Sequence, residues 1–109
     1  MSRVETRSPE AFEIISDRVK DAASVLKAMS SDTRLRILCA LSAGELPVHQ
    51  LAEMTGQSSS AISQHLTKLR AAGLVDSRRE AQTIYYFCTK GIGKEIVDTL
   101  CAYYKEDGS

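Results

Sequence analysis

Apolar residues recur along this chain with two distinct periods. From Phe12 to Met29 they alternate at spacings of three and four: Phe12, Ile15, Val19, Ala22, Leu26, Met29. That is the seam of a helix laid against another helix. Ser8-Pro9-Glu10 opens it, with a serine N-cap, proline at the first helical position and an acid in the first turn. The seam can pack on the domain's own core or on a second copy; a chain of 109 residues favours the copy. Ser30-Ser31-Asp32 starts a second helix, running to about Ala43 with Gly44 as its stop. Leu35, Leu38 and Cys39 share one face and Ile37 and Leu41 another, which predicts a buried helix. Glu45-Leu46-Pro47 is a short extended connector. A third helix follows over Val48–Thr55, with Val48, Leu51, Ala52 and Met54 inward.

Gly56-Gln57 then turns the chain into a helix that begins after Ser58, a good N-cap, and ends at Gly73, in the place of a C′ glycine. Ile62, Leu66 and Leu69 form a narrow apolar stripe. Ser60, Ser63, Gln64, Thr67 and Lys68 point the other way. Serine is a mediocre helix former, and an ordinary solvated face is filled with Glu and Lys instead. A short, polar, hydrogen-bonding face of this kind suits a major groove. Two short helices joined by a glycine-containing turn make a helix-turn-helix, with this one as the recognition helix.

After Gly73 the period falls to two. Leu74–Glu80 and Thr83–Cys88 read as two strands with Ala81-Gln82 at the tip, a β-wing. Arg78 and Arg79 beside the tip can reach phosphates or a minor groove. A last helix runs from about Ile92 to Lys105. Its apolar stripe (Ile92, Ile96, Leu100, then Tyr103 or Tyr104) needs a cover. The expected architecture is mainly α with a small β-wing, a dimeric winged helix-turn-helix of five helices and a two-stranded hairpin. It is a single domain: a flexible arm over 1–7, dimerisation helices over 8–29 and 91–105, the helix-turn-helix over 46–73 and the wing over 74–88.

Net charge is zero, with 14 basic and 14 acidic residues, which disfavours strong non-specific DNA binding. The distribution is uneven, however. Residues 57–83 hold Lys68, Arg70, Arg78 and Arg79 against only Asp76 and Glu80. The surplus lies in the predicted DNA-contacting segment, and dimerisation doubles it. No apolar run is long enough to span a bilayer, and residues 1–7 lack the apolar core of a signal peptide. Three cysteines, an odd number, argue against a disulfide framework. These features predict a cytoplasmic protein with no membrane contact. Nothing offers a nucleophile–base pair, a phosphate-cradling glycine loop or a paired-carboxylate cleft, so no enzyme is expected.

The order of elements, and four stretches in particular, resemble the ArsR/SmtB family of winged-helix repressors, in its NolR/HlyU-like branch. The stretches are Leu26-Lys27-Ala28-Met29-Ser30, Arg34-Leu35-Arg36-Ile37-Leu38, the run from Ser63 to Val75, and the wing from Arg78 to Tyr86. The resemblance implies a homodimer built from the first and last helices. It also implies an imperfect palindrome of double-stranded DNA as operator, and repression of a promoter. It places Ser58, Ser59, Ser60, Ser63, Gln64 and His65 at DNA-reading positions. Gln64 is the leading base reader, because Gln can bond adenine N6 and N7 together. The serines and Lys68 suit phosphate or water-mediated contacts, and His65 sits nearer the core edge. Arg78, Arg79, Gln82 and Thr83 complete the set from the wing.

Two metal sites known in the family are incomplete. The Cys-x-Cys positions of the third helix are Pro47 and His49, and the final helix offers Glu95, Asp98 and Cys101 but no histidine. No metal or cofactor is therefore expected. Another branch senses oxidants or sulfur species through one cysteine on the second helix and one near the end of the last. Cys39 occupies the first position, and Lys105 the second. Cys101 lies one turn earlier, ~6 Å along the axis, against a Cα limit of ~7 Å for a disulfide. Cys39 and Cys101 are thus either a thiol switch or small core residues, and Cys88 reads as core too. The alternative of a different class is a protein-interaction module that has lost DNA binding.

Overall fold

The computed structural model describes residues 9–108. Its order is α1 (Pro9–Asp17), α2 (Val19–Met29), α3 (Asp32–Ser42), β1 (Leu46–Pro47), α4 (Val48–Thr55), α5 (Ser59–Ala71), β2 (Val75–Glu80), β3 (Thr83–Cys88) and α6 (Ile92–Gly108). The described residues thus form six helices and a three-stranded antiparallel sheet in the order β1-β3-β2. This corrects the expected five helices and two-stranded hairpin. The predicted arm, and Ser8 at the head of the first helix, lie outside the described residues.

The extra helix comes from a break at Arg18, where φ is −120° and ψ 15°. The Arg18 N–H reaches back only to the Ile15 carbonyl, at 3.1 Å. Because α1 buries no residue, nothing in the chain's own core holds the two halves in one line. The extra strand is the connector: Leu46 pairs with Tyr86 and Pro47 with Tyr85. Pro47 has no N–H to donate, and it sits on an edge strand, where that costs least.

The core gathers Met29, Ile37, Leu38, Leu41, Leu51, Ile62, Leu66, Leu69, Leu74, Val75 and Val97. Ser31 caps α3, its hydroxyl accepting from the Arg34 N–H at 3.2 Å. The Arg34 guanidinium in turn donates to the Ala28 carbonyl at 2.7 Å, closing the end of α2. Two predicted core residues lie outside: Met54 is 59% exposed and Cys39 is exposed. Both line an open groove between α3 and α4, with Leu35, Arg36, Ala40, Ala43 and Thr55. Phe12 (70% exposed), Val19 (50%) and Leu26 (56%) are also exposed along α1 and α2, as are Ile92, Tyr103 and Tyr104 on α6.

Candidate nucleic-acid interface

Helix α5 is fixed at both ends by its own sequence. The Ser58 hydroxyl accepts from the Ala61 N–H at 3.0 Å, an N-cap that satisfies one of the free donors of the first turn. At the other end Gly73 takes φ 78°. The Leu74 N–H bonds the Leu69 carbonyl and the Gly73 N–H the Arg70 carbonyl, each at 2.9 Å, a Schellman closure that needs a left-handed residue. Ile62, Leu66 and Leu69 are fully buried beneath the helix. Ser59, Ser60, Ser63, Gln64, Thr67 and Lys68 remain exposed along its outer side. The Thr67 hydroxyl is turned back onto the Ser63 carbonyl at 2.9 Å. His65 is half-buried at the margin; burial first, then the positive charges of Arg34 and Lys68, hold its pKa below the usual histidine value.

The wing stands beside this helix. Its register runs from Val75 opposite Cys88 to Glu80 opposite Thr83, leaving Ala81-Gln82 as a two-residue turn with Ala81 at φ 57°. The base is closed by Thr89, whose hydroxyl donates to the Gly73 carbonyl at 2.6 Å. An open groove of about 380 Å³ runs between wing tip and helix start, lined by Ser59, Gln82, Thr83, Ile84, Pro47, Val48 and His49. The structure therefore brings Ser59, Gln82 and Thr83 together and adds His49. That residue had no sequence signal as a groove residue, because its place depends on where the wing folds. Arg78 and Arg79 separate, since neighbours on a strand point to opposite faces. Arg79 is exposed and stands opposite Ile84. Arg78 is held by Glu45 and Glu80, each at 2.8 Å.

The thiols of Cys39 and Cys101 touch, with their sulfurs 3.4 Å apart. The earlier placement of Cys101 on α6 thus still faces α3, and neither residue is core, since both are exposed. Cys88 is half-buried against the Leu38 carbonyl. Burial, the contact with Cys101 and the charges of Cys101 and Cys88 push the Cys39 thiol up to about 11. Among the described residues no three His, Cys, Asp or Glu side chains gather as a metal-holding group. No helix among them is long and apolar enough to cross a membrane.

Residues 31–77 match the family described as "Bacterial regulatory protein, arsR family". The nodulation protein NolR of Rhizobium meliloti is 46% identical over 79% of this chain and 70% of its own length. The transcriptional activator HlyU of Vibrio cholerae is 43% identical over 76% of this chain and 77% of its own. A biofilm growth-associated repressor of Xylella fastidiosa is 32% identical over 95% of both. The crystal structure of NolR from Sinorhizobium fredii superposes with a TM-score of 0.73 at 44% identity, covering 90% of this chain and 94% of that one. A Mycobacterium bovis protein solved as a homodimeric winged helix-turn-helix DNA-binding domain gives 0.73 at 27% identity, covering 98% of this chain and 93% of that one. With its helix-turn-helix and wing in place, the chain belongs to the ArsR family of bacterial regulatory proteins, as a DNA-binding transcriptional regulator of the branch that holds NolR and HlyU.

Proposed function

We propose that the chain acts as a homodimeric repressor that sets one α5 helix into each half of an imperfect palindromic operator, without a metal. The carrying observation is the outer side of α5: exposed serines, Gln64 and Lys68 on a helix capped at both ends, flanked by a wing on which Arg79 is exposed. Gln64 is placed to read a base edge, and Ser59, Ser60, Ser63 and Lys68 to bond phosphates or bridging water. Ser58 is spent as the cap. The bare apolar stripe on α1, α2 and α6 supports a second copy as its cover, and the homodimeric Mycobacterium bovis neighbour points the same way.

Selection of bound sequences from a random duplex pool tests this. An enriched palindrome supports the dimeric reader, a lone half-site contradicts it, and no motif at all favours an interaction module.

The sulfur contact favours a second layer, a thiol switch. A two-electron oxidant of the peroxide class takes one electron and one proton from each thiol and leaves water and a Cys39–Cys101 bond. The sulfurs move from 3.4 Å to about 2 Å, tying α3 to α6. Oxidised protein should then lose its operator, reductant should restore it, and Cys39→Ser should ignore both. Equal binding by oxidised and reduced protein would remove this layer and leave the repressor standing.

A further inference from the structure

The two wing arginines carry the same charge one residue apart, yet only one of them is free. Arg78 stands in a cross-strand row with Tyr85 and Pro47, one residue from each strand of the sheet. Its guanidinium carbon lies 4.9 Å from the centre of the Tyr85 ring, within cation–π range. Beyond the ring its Nε donates to Glu45 Oε1 at 2.8 Å, and Nη1 donates to Glu80 Oε1 at 2.8 Å. Glu45 immediately precedes β1, and β1 leads without a break into α4. The side chain of Arg78 therefore starts on one edge strand, crosses the middle strand and ends on the residue that leads into the other edge. It ties the wing to the root of the helix-turn-helix. Arg79, on the opposite face, has no ion pair among the described residues.

Charge separates the two further. Arg78 carries both carboxylates with it, so the cluster is net negative. Moving its guanidinium onto a phosphate breaks two charge-assisted hydrogen bonds and leaves Glu45 and Glu80 uncompensated beside the DNA backbone. Exposed ion pairs add little to folding stability; what this one supplies is direction. The base of the wing is held by Val75, Tyr86 and Cys88 against the core and by Thr89. Arg70 on α5 pairs with Asp76 at the start of β2 at 3.2 Å, and Pro47 pairs with Tyr85 through the backbone; beyond these, the Arg78 network adds a side-chain link from the outer hairpin to the residue that leads into β1. We infer that Arg78 is a positioning residue that sets the angle of the wing on the helix-turn-helix, while Arg79 makes the wing's phosphate contact. The inference rests on the reading that the wing lies on DNA.

The test is binding of the full chain to its selected operator and to a random duplex across a range of salt. Arg78→Ala and Glu45→Gln should each weaken operator binding about three- to tenfold and leave the salt slope unchanged. The double variant should be no weaker than Arg78→Ala alone. Arg78→Lys, which keeps the charge but not the planar fork, should behave like Arg78→Ala. Arg79→Ala should weaken both duplexes and flatten the slope by ~1 for each wing. The inference is overturned if Arg78→Ala flattens the slope as Arg79→Ala does, if Arg78→Lys restores binding, or if Glu45→Gln tightens it by releasing a DNA contact. Unchanged binding in Arg78→Ala overturns it as well. An unchanged slope in Arg79→Ala is a different failure, because it takes the wing off the DNA altogether.

Discussion

Helices α3, α4 and α5 bury Ile37, Leu38, Leu41, Leu51, Ile62, Leu66 and Leu69 against one another and turn polar side chains outward, whereas α1 buries nothing and α2 buries only Met29. The first group completes its core within one chain, with Met54 left exposed on α4. Its outer surface can be specialised for contact because its stability is supplied from within. The second group carries an apolar seam of which Met29 reaches the core while Phe12, Val19 and Leu26 do not. Phe12, Val19 and Leu26 are therefore more exposed than any residue of the α5 stripe. Two regions of similar apolar content thus differ in what they leave exposed: the stripe beneath α5 is fully buried, whereas Phe12, Val19 and Leu26 stay at the surface.

Mutations can break this contrast, beginning with the largest effect. Val19→Glu puts a charge into the bare seam and should convert the dimer to monomers in size-exclusion chromatography, with loss of palindrome binding. A surviving dimer would move the interface elsewhere. Ile62→Ala should cost about 2–5 kcal/mol of folding stability in denaturant unfolding, while Phe12→Ala should cost far less once the protein is dissociated. Similar losses for both would mean the outer helices carry a core of their own. Gln64→Ala should cost ~1–3 kcal/mol of operator affinity and relax one base pair per half-site, whereas equal loss on random DNA would make Gln64 a backbone contact. Ser58→Ala should remove ~1 kcal/mol of stability through the lost cap, seen as a lower unfolding midpoint.

The smallest effect concerns pH. The folded-state pKa of His65 lies below the ordinary value of 6.5, so the unfolded chain takes up the proton first as pH falls. The stability from this group is present above 6.5 and is lost as pH drops through the folded value. His65→Gln should flatten the stability profile in that window; an unaltered profile would place the acid sensitivity in another group.

How much of this was legible in the sequence follows the range of each interaction. The ends of α4 and α5, the Gly73 closure and the Ala81-Gln82 tip of the wing depend on residues a few positions apart, and each lies where the local pattern put it, although β2 begins at Val75 and not at Leu74. The three-stranded sheet does not. A two-residue strand has no period, and Leu46-Pro47 becomes one only because β3 arrives beside it. The break at Arg18 carries no proline or glycine to announce it. Contact between Cys39 and Cys101 joins positions 62 residues apart and depends on how α6 is rotated over α3. Arg78 and Arg79 are indistinguishable as letters; the pleat and the distant Glu45 separate them.

Mass measured by sedimentation equilibrium on a duplex carrying the selected operator tests the central claim most directly. Two chains of 11.9 kDa should sit on each duplex, with their half-sites one helical turn, about 10 base pairs, apart, and Val19→Glu should abolish that stoichiometry. A single chain bound per duplex with full affinity would show that one copy suffices, and that the bare seam of α1, α2 and α6 serves something other than a second copy.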